Sequence, residues 1–232
     1  MTKAPRPGRV KTRLTPPLTP EEAAALNVCF LRDTTTAFAE VAKTGGVRGV
    51  GVYTPVGEEN AFAGILPNDF VLVAQRGDAF GERLIHAAED LLTLGFDAFC
   101  LIDSDSPTVP ARAYAQAVRW LAEPGDRMVI GPSDDGGYYL IGLKEQHREL
   151  FTEIDWSTER VFSQTMERAR EIGVKVEIIP TWYDVDDRAT LQRLCNELLG
   201  NEKANGYDAV QTHKFLAELV AREGRNRIWP TV

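Results

Sequence analysis

The segment at residues 98–102 (AFCLI), followed directly by Asp103-Ser104-Asp105, is the stretch that decides the fold class. It is short and wholly apolar, which is typical of a strand that is buried on both faces. Residues 70–74 (FVLVA) form a second apolar run, and residues 47–53 (VRGVGVY) alternate as a strand does. Because helical patterns separate these segments, the sequence predicts an α/β fold with a mostly parallel sheet between two layers of helices.

Helix signals are clear on either side of these strands. Thr19, Pro20 and Glu22 have the residue types of an N-cap, a first helical residue and a capping-box acid. The helix that they begin is predicted to run to about residue 43 and to end at Gly45-Gly46. Further helices are predicted from an N-cap at Asp78, from Pro110 through Leu121, from Ser157 to just before Gly173, and over residues 188–199 and 209–222.

The second half of the chain adds a predicted hairpin and a final strand. Residues 128–130 and 138–143 are predicted strands joined by a polar loop, and residues 174–179 form the last strand. Residues 200–206 (GNEKANG) are the only candidate linker, and their composition is more typical of a surface loop. We therefore predict one α/β domain over residues 1–232.

Net charge, cysteine spacing and the length of the apolar runs argue against several classes of protein. The 232 residues are 44% hydrophobic and carry 34 acidic against 26 basic side chains, a formal charge of −8, which argues against a nucleic-acid partner. Cys29, Cys100 and Cys195 have no spacing typical of a disulfide framework or a zinc site. No apolar run approaches the roughly 18 residues of a transmembrane segment. We expect a cytoplasmic protein without a transmembrane segment.

The N-terminal segment concentrates positive charge. No acid precedes residue 21, and Gly8 permits close approach of the backbone to a ligand. Phosphate would be bound by the point charge of a lysine and the bidentate fork of an arginine. The sequence thus predicts a cationic loop for an anion, and the alternative is a frayed basic tail. Five bases lie in this segment: Lys3, Arg6, Arg9, Lys11 and Arg13.

Acidic clusters follow three predicted strands or their connectors: Asp103-Ser104-Asp105, Asp134-Asp135, and Asp184 with Asp186 and Asp187. In open α/β sheets, ligands collect outside the carboxyl ends of the strands, so the clusters are predicted to share one edge. An Asp-x-Asp pair such as Asp103 and Asp105 suits Mg²⁺ or Mn²⁺ shared with phosphate oxygens. Asp186 is the best further ligand, whereas Asp187 more simply caps the next helix. The alternative is that Asp103 and Asp105 only accept hydrogen bonds from turn amides.

The string Asp134-Asp135-Gly136-Gly137-Tyr138-Tyr139 is the most unusual in the sequence. Two glycines after two acids make a tight turn, which could press the backbone against a ligand. A sugar or alcohol acceptor is bound well by carboxylates on its hydroxyls and by aromatic rings on its faces. The alternative is an ordinary hairpin turn. Trp156 is, by residue type alone, more often a core residue than a ligand contact.

Six strings stand out together: residues 3–14 (KAPRPGRVKTRL), 75–84 (QRGDAFGERL), 101–110 (LIDSDSPTVP), 131–143 (GPSDDGGYYLIGL), 154–158 (IDWST) and 182–187 (WYDVDD). They resemble the bacterial glycosyltransferase-A-like proteins of the DUF2064 family, within the nucleotide-diphospho-sugar transferase superfamily. More distant relatives include the molybdopterin and 2-phospholactate nucleotidyltransferases. The resemblance implies a three-layer α/β/α fold whose mostly parallel, Rossmann-like sheet includes a small antiparallel element. The resemblance runs in register from Lys3 to about Leu194.

The resemblance also implies roles for individual residues. Asp103, Asp105 and Asp186 match the metal-binding positions, and Asp135 matches the turn that contacts the sugar or the acceptor. The nucleotide-binding positions correspond to Lys3, Gly8, Lys11, Arg13, Gln75, Gly77 and Arg83. We further expect Asp134, Gly136, Gly137 and Trp156 to contact the sugar or the acceptor.

One departure concerns the first strand. Members of the family usually begin with an apolar strand that leads into the Lys-x-Pro loop, whereas here only Met1 and Thr2 precede Lys3. Either the first strand is missing, or another segment occupies its place.

The predicted function is that of a metal-dependent transferase whose substrate is a nucleotide-activated sugar. Mg²⁺ or Mn²⁺ on the aspartates would neutralise the diphosphate leaving group, so Asp105 is a candidate catalytic residue. Asp135 is a second, which would orient or deprotonate an acceptor hydroxyl. The alternatives are a nucleotidyltransferase, which would use a nucleoside triphosphate and release pyrophosphate, and a non-catalytic nucleotide-binding relative.

Overall fold

The computed structural model describes residues 1–43, 46–200 and 205–229, and within them the chain forms seven strands and seven α-helices. The strands are β1 (Thr2–Lys3), β2 (Val50–Thr54), β3 (Val71–Ala74), β4 (Phe99–Ile102), β5 (Met128–Pro132), β6 (Tyr138–Leu143) and β7 (Val176–Ile178). The helices are α1 (Pro20–Ala42), α2 (Phe80–Thr93), α3 (Ala111–Ala122), α4 (Val161–Glu171), α5 (Arg188–Leu199), α6 (Val210–Glu223) and α7 (Arg225–Ile228).

The strands form two adjoining sheets. Strands β1, β2 and β3 are parallel in that order, and the second sheet has the order β4-β6-β5-β7. Strand β6 is antiparallel to both of its neighbours, while β5 and β7 are parallel. The amino group of Met1 donates a hydrogen bond to the Ile102 carbonyl at 2.8 Å, so the sheets meet where β1 approaches β4. The predicted α/β class, with its parallel strands and small antiparallel element, is confirmed.

Strand β1 supplies the first strand of the sheet in only two residues. Thr2 pairs with Tyr53 and Lys3 with Thr54, so Lys3 ends its strand beside the carboxyl end of β2. Beyond this short pairing, a cavity of about 820 Å³ lies between β2 and β4 and is lined mainly by apolar side chains. The first strand that members of the family usually have is therefore present here, but it is only two residues long.

The two faces of the sheet bury alternate side chains, as the period of a strand requires. Met128 and Ile130 of β5 pack on one face in a core with residues of α2 and α4. Val129 points to the opposite face, where it packs with α1 and α3. A separate core joins the first half of α1 to α5, α6 and α7. This arrangement gives the three layers, with strand ends and loops left to carry polar side chains.

Several predicted element boundaries are confirmed, and two are wrong. The capping box of α1 forms: Glu22 N donates to Thr19 Oγ1 at 3.2 Å, and Thr19 N donates to Glu22 Oε2 at 2.8 Å. Helix α5 has the predicted bounds. The N-cap of α2 is Ala79, not Asp78, because Glu82 accepts hydrogen bonds from both of their amides.

Helix α4 begins at Val161, not at Ser157. Ser157 has φ 65°, a left-handed conformation that cannot belong to a right-handed helix. The predicted helix end at Gly45 and residues 201–204 of the candidate linker lie outside the described residues. Among the helices of the described segments, none is long and apolar enough to cross a bilayer.

Candidate active site

The loops at the carboxyl ends of the strands carry the three acidic clusters. Asp103 directly follows β4, and residues 134–137 join β5 to β6. The connector after β7 is bonded to both: Asp134 N donates to the Trp182 carbonyl, and Val185 N donates to the Asp105 carbonyl, each at 2.9 Å. Acidic residues that are distant in the sequence therefore lie at one edge of the sheet.

The basic N-terminal segment is anchored against the same edge. Gly8 makes a turn with φ 70°, and Lys11 also has a positive φ, 49°, just before a short 3-10 helix at Thr12–Leu14. Leu14 is fully buried in the core with Phe30 of α1. Because an apolar anchor follows the bases directly, this segment is a fixed loop and not a frayed tail.

Lys11 is the most constrained cation of this loop. Its Nζ atom lies 2.7 Å from Asp105 Oδ1 and 3.0 Å from Asp186 Oδ1, and it also donates to the Val185 carbonyl at 2.8 Å. The same atom lies 5.5 Å from the centre of the Phe30 ring, within range of a cation–π contact. Only 4% of the side chain is exposed. Lys11 thus joins two of the three predicted metal ligands through one atom.

Charge explains why a buried amine remains protonated there. Burial alone would lower the pKa of Lys11, but the carboxylates of Asp105 and Asp186 outweigh it and hold that pKa above its ordinary value. Arg13 approaches Asp186 from the other side, with Nη1 3.6 Å from Oδ2, and 71% of its side chain is exposed. The two bases differ accordingly: Lys11 is enclosed, and Arg13 lies at the rim.

A cavity of about 240 Å³ opens beside these groups. Bases of the cationic loop and acids of two acidic clusters line it together, a combination that the larger apolar cavity between β2 and β4 does not have. Its lining consists of Lys3, Arg9, Val10, Lys11, Thr12, Arg13, Asn27, Ser104, Asp105 and Asp186.

The surroundings of Asp103 favour its neutral form. Its Oδ2 accepts a hydrogen bond from Ser106 Oγ at 2.8 Å. Burial, reinforced by the negative charges of Asp105 and Asp184, raises the pKa of Asp103 to about 8. Near neutral pH this carboxyl group is therefore largely protonated in the folded protein.

Replacing Asp103 with asparagine, which resembles the protonated acid, is expected to change how stability depends on pH. The unfolded carboxyl titrates near pH 4. Because the folded pKa is the higher one, the folded state retains the proton, and Asp103 lowers the free energy of unfolding as pH rises from about 4 to 8. The advantage of the variant should grow across that window by up to about 1.4 kcal/mol per pH unit. Urea unfolding of both proteins at pH 5 and pH 7.5 measures it, and a constant difference contradicts the assignment.

Asp184 belongs to the third acidic cluster, but the sequence analysis assigned it no role of its own. Its Oδ1 accepts a hydrogen bond from Ser133 Oγ at 3.0 Å. Burial raises its pKa, and the neighbouring charges of Asp135 and Asp186 add to the effect. The available signal was the alternation Asp184-Val185-Asp186, which has the same spacing as Asp103-Ser104-Asp105.

The loop between β5 and β6 is a tight turn that packs against the start of α4. Asp135 Oδ1 accepts a hydrogen bond from Gly137 N at 2.8 Å, and Asp134 forms an ion pair of 2.6 Å with Arg193. Gly136 has φ 88°, and its carbonyl accepts from Phe162 N at 2.8 Å. The turn is therefore held in place, with the Asp135 side chain on its exposed side.

Two of the predicted nucleotide-binding residues that follow β3 form side-chain hydrogen bonds to backbone carbonyls. The side-chain amide of Gln75 donates to the Thr2 and Val52 carbonyls at 3.2 and 2.9 Å, which joins β1 to β2. Arg83 donates to the Gly77 and Asp78 carbonyls, both at 3.1 Å. Among the described residues, Gln75, Gly77 and Arg83 do not line the 240 Å³ cavity.

Trp156 belongs to an aromatic cluster behind the β5–β6 loop. Its ring centre lies 5.0 Å from that of Phe80 and 6.5 Å from that of Tyr138, with edge-to-face geometry in both pairs. Trp156 is half-buried, while Phe80 is exposed. Through Tyr138, the cluster adjoins the loop at residues 134–137. Trp156, Phe80 and Tyr138 do not line the cavity beside Lys11.

The residues around Lys11 fit a divalent cation with two protein ligands. Oxygens of Asp105 and Asp186 both lie within 3.0 Å of one atom, so they converge on a common point. Mg²⁺ commonly takes one or two carboxylates together with substrate phosphates and water. No three such side chains converge in the parts of the chain that the structure describes. Two carboxylates suit a cation that arrives with phosphate, provided that Lys11 moves away.

A family model described as "Uncharacterized protein conserved in bacteria (DUF2064)" matches residues 37–158. The chain belongs to the DUF2064 family. A crystal structure described as a "putative nucleotide-diphospho-sugar transferase from Desulfovibrio desulfuricans G20" is 30% identical and superposes with a TM-score of 0.79. That match covers 96% of this chain and 94% of the other. The family predicted from the sequence motifs is thereby confirmed.

A weaker likeness links this DUF2064 chain to a structure of CMP:2-keto-3-deoxy-manno-octonic acid synthetase complexed with CTP. The two are 12% identical with a TM-score of 0.47, over 71% of this chain and 85% of the other, which is too little to establish a common fold. No curated protein matches the chain.

Proposed function

We propose that this DUF2064 protein is a metal-dependent transferase that uses a nucleotide-activated sugar. One observation carries the proposal: Lys11 and Arg13 face Asp105 and Asp186 around a single cavity. A diphosphate needs cationic partners, and the divalent cation that accompanies it needs carboxylates. The likeness over almost the whole chain to the Desulfovibrio protein supports the same class of substrate.

The cationic loop would bind the diphosphate. Lys3, Arg9, Lys11 and Arg13 all line the cavity. With a diphosphate bound there, their positive charge would stabilise the negative charge that develops on the leaving group. Gly8 lies in this loop with φ 70°, a conformation that favours glycine. Its missing side chain leaves the backbone open to close approach by a phosphate.

Asp105 and Asp186 would hold Mg²⁺ or Mn²⁺. Such an ion, when bound, acts as a Lewis acid that neutralises the leaving diphosphate. The chain contributes the spacing of the two carboxylates, because the Val185 amide is bonded to the Asp105 carbonyl and fixes the two loops together. Asp103, largely protonated, would become a ligand only if binding of the ion displaced its proton into solvent.

The β5–β6 loop would receive the acceptor. Gly137 N holds one oxygen of Asp135, which leaves the other oxygen to orient an acceptor hydroxyl and take up its proton. Asp134, Gly136 and Gly137 would shape this side of the site, and Trp156 with Phe80 would offer aromatic surface to a sugar ring.

Calorimetry with a panel of nucleoside diphosphates (UDP, GDP, ADP, CDP and dTDP), with and without Mn²⁺, tests the proposal. At least one diphosphate is expected to bind in a Mn²⁺-dependent manner, and Mn²⁺-dependent binding to none of them contradicts the proposal. Product analysis then separates the chemistries. Release of a nucleoside diphosphate from a sugar donor supports sugar transfer, whereas release of pyrophosphate from a nucleoside triphosphate assigns nucleotidyl transfer instead.

A further inference from the structure

The hydrogen-bonding capacity of Lys11 is fully used within the protein. A lysine ammonium has three N–H donors. The three acceptors around Nζ are Asp105 Oδ1, Asp186 Oδ1 and the Val185 carbonyl, at 2.7, 3.0 and 2.8 Å. With the Phe30 ring below and 4% of the side chain exposed, this ammonium has no donor left for an external anion. To bind a phosphate, Lys11 must give up at least one of these partners.

The same two carboxylates are the ones that fit a divalent cation. Mg²⁺ binds oxygen at about 2.0–2.1 Å, so an ion between Asp105 and Asp186 would occupy the space that Nζ now fills. The Asp105 and Asp186 side chains are 34% and 37% exposed, but two positive groups that use the same carboxylate oxygens repel each other and weaken each other's contacts. A cation at this point therefore competes with the Lys11 ammonium.

Displacing Lys11 alone is unfavourable, because its enclosed charge would lose both counter-ions. A diphosphate in the adjoining cavity would supply new ones. In that arrangement the phosphates neutralise Lys11, and the divalent cation neutralises Asp105 and Asp186. Each ligand alone leaves one half of the site without a counter-charge.

We infer that Lys11 couples the entry of the divalent cation to that of the diphosphate, by exchanging its two carboxylate partners for phosphate oxygens. The identity of the anion rests on the proposed function, whereas the competition between Lys11 and the cation does not. Arg13 provides a second positive charge for the phosphates. It is exposed at the rim, 3.6 Å from Asp186, and reaches the cavity without breaking an enclosed contact.

The test measures Mn²⁺ binding in the absence of any phosphate, by calorimetry and by the electron paramagnetic resonance signal of free Mn²⁺. Lys11→Met is expected to bind Mn²⁺ at least 10-fold more tightly than the wild-type protein, because Asp105 and Asp186 are released. Lys3→Met is the matched control: it removes one charge from the same cavity, and Lys3 is exposed at the end of β1. Its Mn²⁺ affinity should rise by less than about 3-fold, the general effect of lost positive charge.

Lys11→Gln provides a second variant, which keeps a hydrogen-bond donor without the charge, and circular dichroism checks that both variants fold. Equal Mn²⁺ affinity in wild type, Lys11→Gln and Lys11→Met overturns the inference, as does an increase no larger than that of Lys3→Met. So does diphosphate binding to wild type that is independent of Mn²⁺ and lost in Lys11→Met, since Lys11 would then replace the metal.

Inorganic pyrophosphate, which has no base or sugar, supplies the second arm. Wild-type protein is expected to bind pyrophosphate at least 10-fold more tightly in the presence of Mn²⁺, after correction for the complex that the two form in solution. By linkage, pyrophosphate must raise the affinity for Mn²⁺ by the same factor. If Lys11→Met binds Mn²⁺ more tightly but the protein binds no nucleotide, the proposed function is refuted and the competition between Lys11 and the cation stands. One that binds nucleotide with Mn²⁺ but shows no effect of Lys11→Met would refute only the exchange.

Discussion

Replacing Asp105 with asparagine is expected to lower the affinity for a nucleoside diphosphate in the presence of Mn²⁺ by at least about 100-fold. Loss of an outer-shell partner of a metal already costs about 10- to 100-fold, and Asp105 would be a direct ligand. An amide oxygen is uncharged and binds a divalent cation far less strongly than a carboxylate. Calorimetry with and without Mn²⁺ measures the change.

The loss should be confined to the metal-dependent part of binding. Without Mn²⁺, Lys11 has one fewer charged partner in this variant, so weak diphosphate binding should be unchanged or slightly improved. Asp69→Asn is the matched control, because Asp69 is exposed and precedes β3, at the opposite edge of the sheet. Affinities for the Asp105 variant within about 3-fold of the control, with Mn²⁺ present, would refute the role of Asp105.

Replacing Gly136 with alanine is expected to destabilise the protein by about 3 kcal/mol or more and to displace the β5–β6 loop. Two effects add. The residue has φ 88°, a conformation that alanine adopts only with strain, and a Cβ atom there would overlap the backbone of Glu159. Since the Gly136 carbonyl also accepts from Phe162 N, the clash must move either the loop or the start of α4.

Urea unfolding measures the effect, and Gly64→Ala separates its two causes. Gly64 has φ 70°, but a Cβ atom there would meet no described atom within 4 Å. That variant should lose only the backbone strain, about 1–2 kcal/mol. If the free energy of unfolding falls no further in Gly136→Ala than in Gly64→Ala, the loop is not closely packed against the start of α4.

Elements defined by neighbouring residues were predictable from the sequence. The capping box of α1 uses side chains three residues apart, and each was identifiable by type. The apolar runs before Asp103 and at residues 70–74 became β4 and β3 with small changes at their ends. The N-cap of α2 was not predictable from Asp78, because the Glu82 carboxylate accepts the same amides that an N-cap side chain would.

The candidate site was predictable in part. The rule that ligands collect at the carboxyl ends of strands brought Asp103, Asp105 and Asp186 to one edge before any coordinates were considered. It could not indicate that Lys11 lies between two of them. It also could not indicate the raised pKa of Asp103, since burial and neighbouring charge set it.

The amino-acid sequence by itself determined the fold class, the family and the stock of charged groups, because strand and helix periods, caps and motifs are local properties of the chain. Only the tertiary structure decided which charges meet. Lys11 and Asp186 are 175 positions apart, and their contact depends on how the N-terminal loop is anchored by Leu14 against α1. Coulomb interactions and desolvation act through space, so their outcome is fixed by packing and not by sequence order.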